Sequence, residues 1–230
     1  MAVLYLISGF LIVPLVICGL LARVRVNQLY NEYSQKPVRK GVTGSRLARR
    51  MLNSAGLDGV VIEEVGGTLK DHYDPRQKIV RLSRSVACGT SVAAIGIASH
   101  EAAHAIQDGT GYPPLKLRNS IAPIVEGTGH LVLPFLLVGV LLSGLALSSF
   151  FVALGLLMFL GVVLFYLVTL PVELEASARA LRYIKDNHVA DEKELDGVKK
   201  VLRAAAFTYL LAMVLVIVQF LSLLTMYKRK

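Results

Sequence analysis

The sequence contains no tryptophan and only two cysteines in 230 residues. Cys18 lies in an apolar run and Cys88 in a short Ala-Cys-Gly-Thr stretch, so their spacing fits neither a disulfide framework nor a CxxC metal site. We expect both to be small buried residues. The scarcity of cysteine argues against a disulfide-stapled domain and against a cysteine-ligated zinc.

Acidic residues are also few, with 16 Asp and Glu against 25 Lys and Arg, a formal net charge of +9. Such a chain suits either nucleic acid or the anionic inner leaflet of a membrane. Nucleic-acid binding favours basic clusters interleaved with stacking aromatics on a soluble face, whereas these charges lie beside long apolar segments. The pattern predicts a lipid bilayer as partner and no nucleic acid.

Long apolar segments make the chain 54% hydrophobic and predict four transmembrane helices. Residues 3–22 form the first, and their positive charges follow the apolar core, unlike those of a secretory signal peptide. The tract 121–170 is interrupted near Ser143-Gly144 and predicts a hairpin of two spans, and 204–226 forms the fourth. The predicted segments are a first span at 1–22, a catalytic region at 23–118, a membrane hairpin at 119–171, a helical segment at 172–203, and a fourth span with a basic tail at 204–230.

The two polar segments, 23–118 and 172–203, are expected on the same side of the membrane, because the hairpin between them crosses it twice. They carry 22 of the 25 basic residues. Basic residues concentrate on the cytoplasmic side of membrane proteins. We therefore predict a multi-pass protein of the bacterial inner membrane, with both polar segments in the cytoplasm.

The first polar segment shows local patterns of helix and strand. Apolar spacing predicts a helix at 43–55, and Thr90-Ser91 is a natural N-cap for a second helix that ends near Gln107. Between them, alternating apolar residues bounded by glycine and Asp-Pro turns predict strands at 60–65, 68–73 and 78–82. A small sheet should accompany the second helix.

That second helix contains the sequence His100-Glu101-Ala102-Ala103-His104. Positions i and i+4 lie on one helix face, so both imidazoles can point to one metal ion. A glutamate after the first histidine is placed to accept a proton from the attacking water and pass it to the leaving amine. The motif predicts Zn²⁺ as cofactor, His100 and His104 as ligands and Glu101 as the catalytic base.

A catalytic zinc needs a third protein ligand and an open position for water. No histidine follows at the HExxHxxGxxH distance, so the metzincin pattern fails. Glu173 and Glu175 follow the third span. Because residues two positions apart on a helix point in nearly opposite directions, only one of these side chains should reach the metal. Pro171 predicts that a new helix begins here, and His72 is the rival ligand.

Four stretches together resemble the YugP-type bacterial membrane zinc peptidases, which are similar in plan to the HtpX and CAAX prenyl protease gluzincins. These stretches are His-Glu-Ala-Ala-His-Ala-Ile-Gln at 100–107, Gly-Tyr-Pro-Pro-Leu-Lys-Leu-Arg at 111–118, Asp-His-Tyr-Asp-Pro-Arg at 71–76 and Leu-Pro-Val-Glu-Leu-Glu-Ala-Ser at 170–177. The wider group takes its third ligand from a Glu-x-x-Ala-Asp stretch, which implies Glu173 as the ligand here. The final Asp is Ser177 in this chain. Glu175 is expected to be a solvated or salt-bridged acid near Arg179.

The predicted fold class is a mainly α membrane protein with about four transmembrane helices and a zincin-like α+β catalytic region, the HExxH helix plus a small sheet, at the membrane surface. The predicted function is that of a membrane-embedded zinc-dependent endopeptidase acting on peptides or proteins, membrane proteins among them. The alternative is a non-catalytic transporter or scaffold with a structural metal, in which His72 would be a fourth ligand. His72 or Tyr73 is otherwise a candidate contact to substrate or to an oxyanion. Glu126 and His130 suggest an interior partner or cavity, or a pair with each other near the interface, and are not assigned to the zinc. His188 is expected in a turn.

Overall fold

A computed structural model describes the backbone of residues 2–227 and the side chains of residues 10–227, so the basic tail at 228–230 lies outside the described residues. Helices dominate this part of the chain, accompanied by one small sheet. The helices are α1 (Ala2–Ser34), α2 (Gly44–Ser54), α3 (Arg84–Ala87), α4 (Val92–Gly109), α5 (Pro113–Thr128), α6 (Val132–Leu141), α7 (Leu147–Asp186) and α8 (Glu192–Tyr227). The strands are β1 (Val61–Val65), β2 (His72–Asp74) and β3 (Ile79–Ser83).

Four helical segments within the described residues are long and apolar enough to cross a membrane. They are Phe10–Ser34, Pro113–Leu141, Leu147–Asp186 and Glu192–Tyr227. The prediction of a mainly α membrane protein with a small sheet is confirmed, and the described residues contain four candidate membrane-spanning helices.

The expected helix start at Pro171 is wrong, because α7 continues through this residue without a break. Proline removes one backbone donor from a helix, but helices that enter a membrane tolerate it. The turn predicted at His188 is confirmed: this residue follows α7 with a φ of 50°, and its N–H donates to the carbonyl of Lys185 at 3.0 Å.

The described chain divides into two compact units. The apolar unit comprises the described parts of 1–21, 116–170 and 208–230. Here α6 and the first turns of α7 pack closely around Gly139, where a Cβ would lie 2.5 Å from Val152, and Ser148 Oγ donates to the Gly139 carbonyl at 2.6 Å. Small residues at such contacts let membrane helices approach each other. Glu126 and His130 are both exposed in this unit, so the structure gives no support to an interior cavity around them.

The polar unit comprises residues 22–115 and 171–207. Its helix α2 begins after Thr43, whose side chain accepts from the Arg46 N–H, and α4 begins after Ser91, whose side chain accepts from the Ala94 N–H. Such caps satisfy backbone donors that the first helical turn leaves without partners. Both predicted helices of this region are confirmed, and the largest buried side chains of the unit come mainly from them and the sheet.

The sheet has the order β1-β3-β2, with β1 parallel and β2 antiparallel to β3. The strand predicted at 68–73 begins only at His72. Gly67 and Leu69 both have positive φ, which interrupts the extended backbone before it. Tyr73 at the centre of β2 is buried, and β2 is left as an edge strand of the described sheet.

The prediction that the two cysteines are buried is wrong, since both are exposed. Cys18 lies on an apolar helix that is mostly not covered by other parts of the protein, so an apolar neighbourhood in sequence does not imply burial there. Cys88 follows α3, with its Sγ 3.5 Å from the Glu64 carboxylate.

Candidate metal centre

The HExxH segment lies in the middle of α4, where His100 and His104 occupy the same helix face. Their ring centroids are 4.7 Å apart and nearly perpendicular. Ala102, Ala103 and Ala105 are fully buried, because their small side chains allow neighbouring elements to pack closely against the helix. The helix is therefore held firmly and presents both imidazoles together.

Helix α7 brings Glu173 to the two histidines. His100 Nε2 lies 3.1 Å from one carboxylate oxygen of Glu173, and His104 Nε2 lies 3.6 Å from the other. All three side chains are at least 85% shielded from solvent. Among the described residues, these three form a group whose ligand atoms all lie within 4.8 Å of one another.

This donor set fits zinc. Zinc takes imidazole nitrogen and carboxylate oxygen at about 2 Å, so tetrahedral ligand atoms lie roughly 3.3 Å apart. The two measured separations lie on either side of this value. Three protein ligands would also leave one coordination position open, as in catalytic zinc sites.

The two other candidate ligands lie elsewhere. Glu175 turns away from the histidines: its Oε1 accepts from the Arg179 guanidinium at 2.7 and 3.0 Å, which is the salt-bridged of the two expected alternatives. His72 is exposed, and its Nδ1 lies 2.8 Å from the Lys70 carbonyl. Neither belongs to the His100, His104 and Glu173 group. The assignment of that group as metal ligands stays a prediction.

Glu101 is partly buried on the same helix. Loss of solvent around its carboxyl raises the pKa to about 7, opposed by the nearby His100 and reinforced by the charges of Glu173 and Asp71. A hydrogen bond from the Tyr73 backbone N–H acts to lower it. A divalent cation beside Glu101 would favour the ionised form further. In the metal-free protein the Glu101 carboxyl therefore changes protonation state near neutral pH.

Two side chains contact the Nδ1 atoms of the histidines, which face away from Glu173. His104 Nδ1 lies 2.9 Å from Gln107 Oε1, and His100 Nδ1 lies 3.2 Å from Ser177 Oγ. Ser177 thus occupies the position that carries Asp in the resembling group and contacts a histidine there. Sequence reasoning missed Gln107, although its position three residues after His104 places it near the same helix face.

These features define the class: a helical membrane protein that carries a buried His-His-Glu cluster suited to zinc. The family described as "Putative neutral zinc metallopeptidase" matches residues 8–228, and the chain belongs to this family. The chain is also 43% identical over 191 residues to "Putative membrane protease YugP" of Bacillus subtilis (strain 168), a match that covers 83% of each chain. No solved structure matches the chain. The resemblance to YugP-type proteins is confirmed.

Proposed function

We propose that this protein is a membrane-embedded zinc-dependent endopeptidase. His100, His104 and Glu173 hold the zinc, and Glu101 is the catalytic base. The observation that carries the proposal is the convergence of two imidazole Nε2 atoms from α4 on the Glu173 carboxylate from α7. The family description and the name of the Bacillus subtilis relative agree with it.

Zinc, when bound, supplies Lewis acidity that makes water a stronger acid and polarises the scissile carbonyl. The chain supplies the proton transfers. The Glu101 carboxylate takes a proton from the attacking water, and the carboxylic acid so formed gives that proton to the nitrogen of the departing amine. The Tyr73 backbone N–H, which hydrogen-bonds to Glu101, restrains the carboxylate for both transfers.

The peptide binds along the edge strand β2. This strand pairs with β3 on one side, while Tyr73 at its centre contacts α4 through a 2.7 Å hydrogen bond to Asp108. An extended peptide can pair with the other side of such a strand by main-chain hydrogen bonds, here through backbone groups other than the Tyr73 N–H, which bonds to Glu101. The exposed His72 would then contact substrate instead of metal.

The four apolar segments support a multi-pass protein of the bacterial inner membrane. The concentration of basic residues in 23–118 and 172–203 favours a cytoplasmic active site. Substrates are therefore peptides or proteins that reach the cytoplasmic side, membrane proteins among them.

The competing role, a transporter or scaffold with a structural zinc, requires a fourth protein ligand. Within the described residues the candidate group contains three, which favours the open position of an enzyme.

The proposal is tested with purified protein in lipid nanodiscs and a fluorogenic peptide library. We expect chelation to abolish cleavage and one equivalent of zinc to restore it in wild type but not in His104→Ala. Cleavage that survives complete removal of zinc would contradict the proposal. A wild-type protein that binds zinc tightly and cleaves no member of the library would support the structural alternative.

A further inference from the structure

Gln107 is fully buried, yet its side-chain amide has a hydrogen-bond partner at each polar atom. Its Nε2 donates to the Val172 carbonyl at 2.9 Å and to Glu175 Oε2 at 2.6 Å. Its Oε1 faces His104 Nδ1 at 2.9 Å. The amide thus joins α4, which carries the histidines, to α7, which carries both glutamates.

The orientation of this amide follows from its neighbours. The Val172 carbonyl and the Glu175 carboxylate are both acceptors, so the amide NH₂ must face them. A flipped amide would place its oxygen against two acceptors and leave buried groups without partners, at a cost of about 1–3 kcal/mol for each. Arg179 holds the other oxygen of Glu175 with two hydrogen bonds, which keeps that carboxylate in place as an acceptor.

The amide oxygen of Gln107 can only accept a hydrogen bond. His104 Nδ1 must therefore carry the hydrogen of this contact, and in a neutral imidazole the lone pair then lies on Nε2. Nε2 is the atom that faces Glu173. The direction of the hydrogen bonds from Arg179 through Glu175 and Gln107 thus determines which nitrogen of His104 is available to a metal.

We propose that Gln107, oriented by Glu175 and Arg179, is a positioning residue that holds His104 in the Nδ1-protonated tautomer and aims its Nε2 lone pair into the cluster with His100 and Glu173. The inference rests on the proposed role of His104 as a zinc ligand. It assigns the residues behind the ligand the task of setting ring orientation and tautomer.

The two histidines differ in this respect. The partner of His100 Nδ1 is the Ser177 hydroxyl, which can donate or accept by rotating about its C–O bond. Ser177 therefore restrains the ring of His100 without selecting its tautomer. Of the two histidines, only His104 has an Nδ1 partner that must accept a hydrogen bond, so only its tautomer is determined by that contact.

The direct test is the ¹⁵N NMR spectrum of the His104 ring in metal-free protein, with His104 assigned by its loss in His104→Ala. We expect wild type to show a protonated Nδ1. In Gln107→Met, which keeps the side-chain length and removes every hydrogen bond, we expect a mixture of tautomers and zinc affinity weakened by about 10–100-fold. Ser177→Ala is the matched control and should leave the His104 tautomer unchanged.

A second variant separates positioning from folding. The exchange Gln107→Glu with Glu175→Gln returns an acceptor to His104 and a donor between the two helices, although the Val172 carbonyl loses its partner. We expect a protonated Nδ1 and a zinc affinity between those of wild type and Gln107→Met. The inference is overturned if Gln107→Met keeps both the tautomer and an affinity within about twofold of wild type. It is also overturned if the folded exchange variant protonates Nε2.

These readouts do not depend on peptide cleavage. A wild-type protein without peptidase activity would contradict the proposed function and leave the tautomer measurement intact. If wild type cleaves peptides but the His104 tautomer is the same with and without Gln107, the proposed function stands and the positioning role of Gln107 is overturned.

Discussion

The two units of the chain differ in how far their apolar residues are exposed. In the polar unit, Leu47, Leu52 and Ile95 are fully buried. In the apolar unit, Leu141 is 81% exposed and Leu157 63% exposed. One unit covers its hydrophobic residues with its own chain, as water-soluble domains do, and the other leaves them for a different environment to cover.

This difference indicates that the two units are stabilised in different media, water and lipid. Burial from water stabilises the polar unit, which holds the buried cluster of His100, His104 and Glu173. Lipid is the medium that stabilises the exposed apolar helices. Substitutions in the two units should therefore affect separate properties: metal binding and cleavage in the first, and membrane integration in the second.

The largest effect is expected from removal of a proposed ligand. Glu173→Ala should weaken zinc binding more than about 100-fold, beyond the usual loss for a residue behind the ligands, with membrane integration unchanged. Competition with a chromogenic chelator measures the affinity. His72→Ala is the matched control, and zinc loss in this variant with retention in Glu173→Ala would make His72 the third ligand.

A charge in the apolar unit should give the opposite result. Leu157→Lys places a cation in the middle of the apolar part of α7, where insertion costs about 2.5–3.5 kcal/mol, so the fraction integrated into membranes should fall. Zinc bound per integrated molecule should not change. Val61→Lys, at an exposed apolar position of the polar unit, is the control and should integrate normally. Equal membrane integration of Leu157→Lys and Val61→Lys would contradict the distinction between the two units.

Close packing at the start of α2 predicts a loss of stability confined to the polar unit. A Cβ on Gly44 would lie against the Val86 carbonyl oxygen and 3.0 Å from the Cβ of Ala98. Gly44→Ala should lower the free energy of unfolding by about 1–3 kcal/mol, measured by circular dichroism in denaturant. Gly59→Ala has open space around the new Cβ and should unfold like wild type to within about 0.5 kcal/mol. Equal destabilisation by both would contradict the packing argument.

The smallest effect is expected at Ser177. Ser177→Ala removes a 3.2 Å contact to His100 Nδ1 that does not select a tautomer, so zinc affinity should fall less than about tenfold. Chelator competition beside Gln107→Met measures the ranking. A larger loss in Ser177→Ala than in Gln107→Met would reverse the order of importance inferred for the two histidines.

Local patterns predicted much of the fold. Apolar length predicted the four candidate spans, apolar spacing predicted α2, and the Ser91 cap predicted the start of α4. The spacing of His100 and His104 depends on helix geometry alone. These features need only residues that are close in sequence.

Long-range packing decided the rest. Local spacing left Glu173 and Glu175 open as ligands, and only the resemblance selected Glu173, which lies 69 positions after His104. The partners of Gln107 on α7 lie 65 and 68 positions away, so its position three residues after His104 could indicate a contact with that histidine but not the link to α7. The late start of β2 follows from the positive φ of Leu69, and the exposure of Cys18 follows from a helix that protein does not cover.

Glu101 gives the most direct test of the central claim, that this family member is a zinc peptidase. Zinc content and peptide cleavage are measured together in nanodiscs for wild type, Glu101→Gln and the exposed control Glu192→Gln. We expect Glu101→Gln to keep one zinc and lose cleavage by more than about 100-fold, because only the proton acceptor is removed. The control should match wild type in both. Cleavage by Glu101→Gln at the wild-type rate would contradict the account.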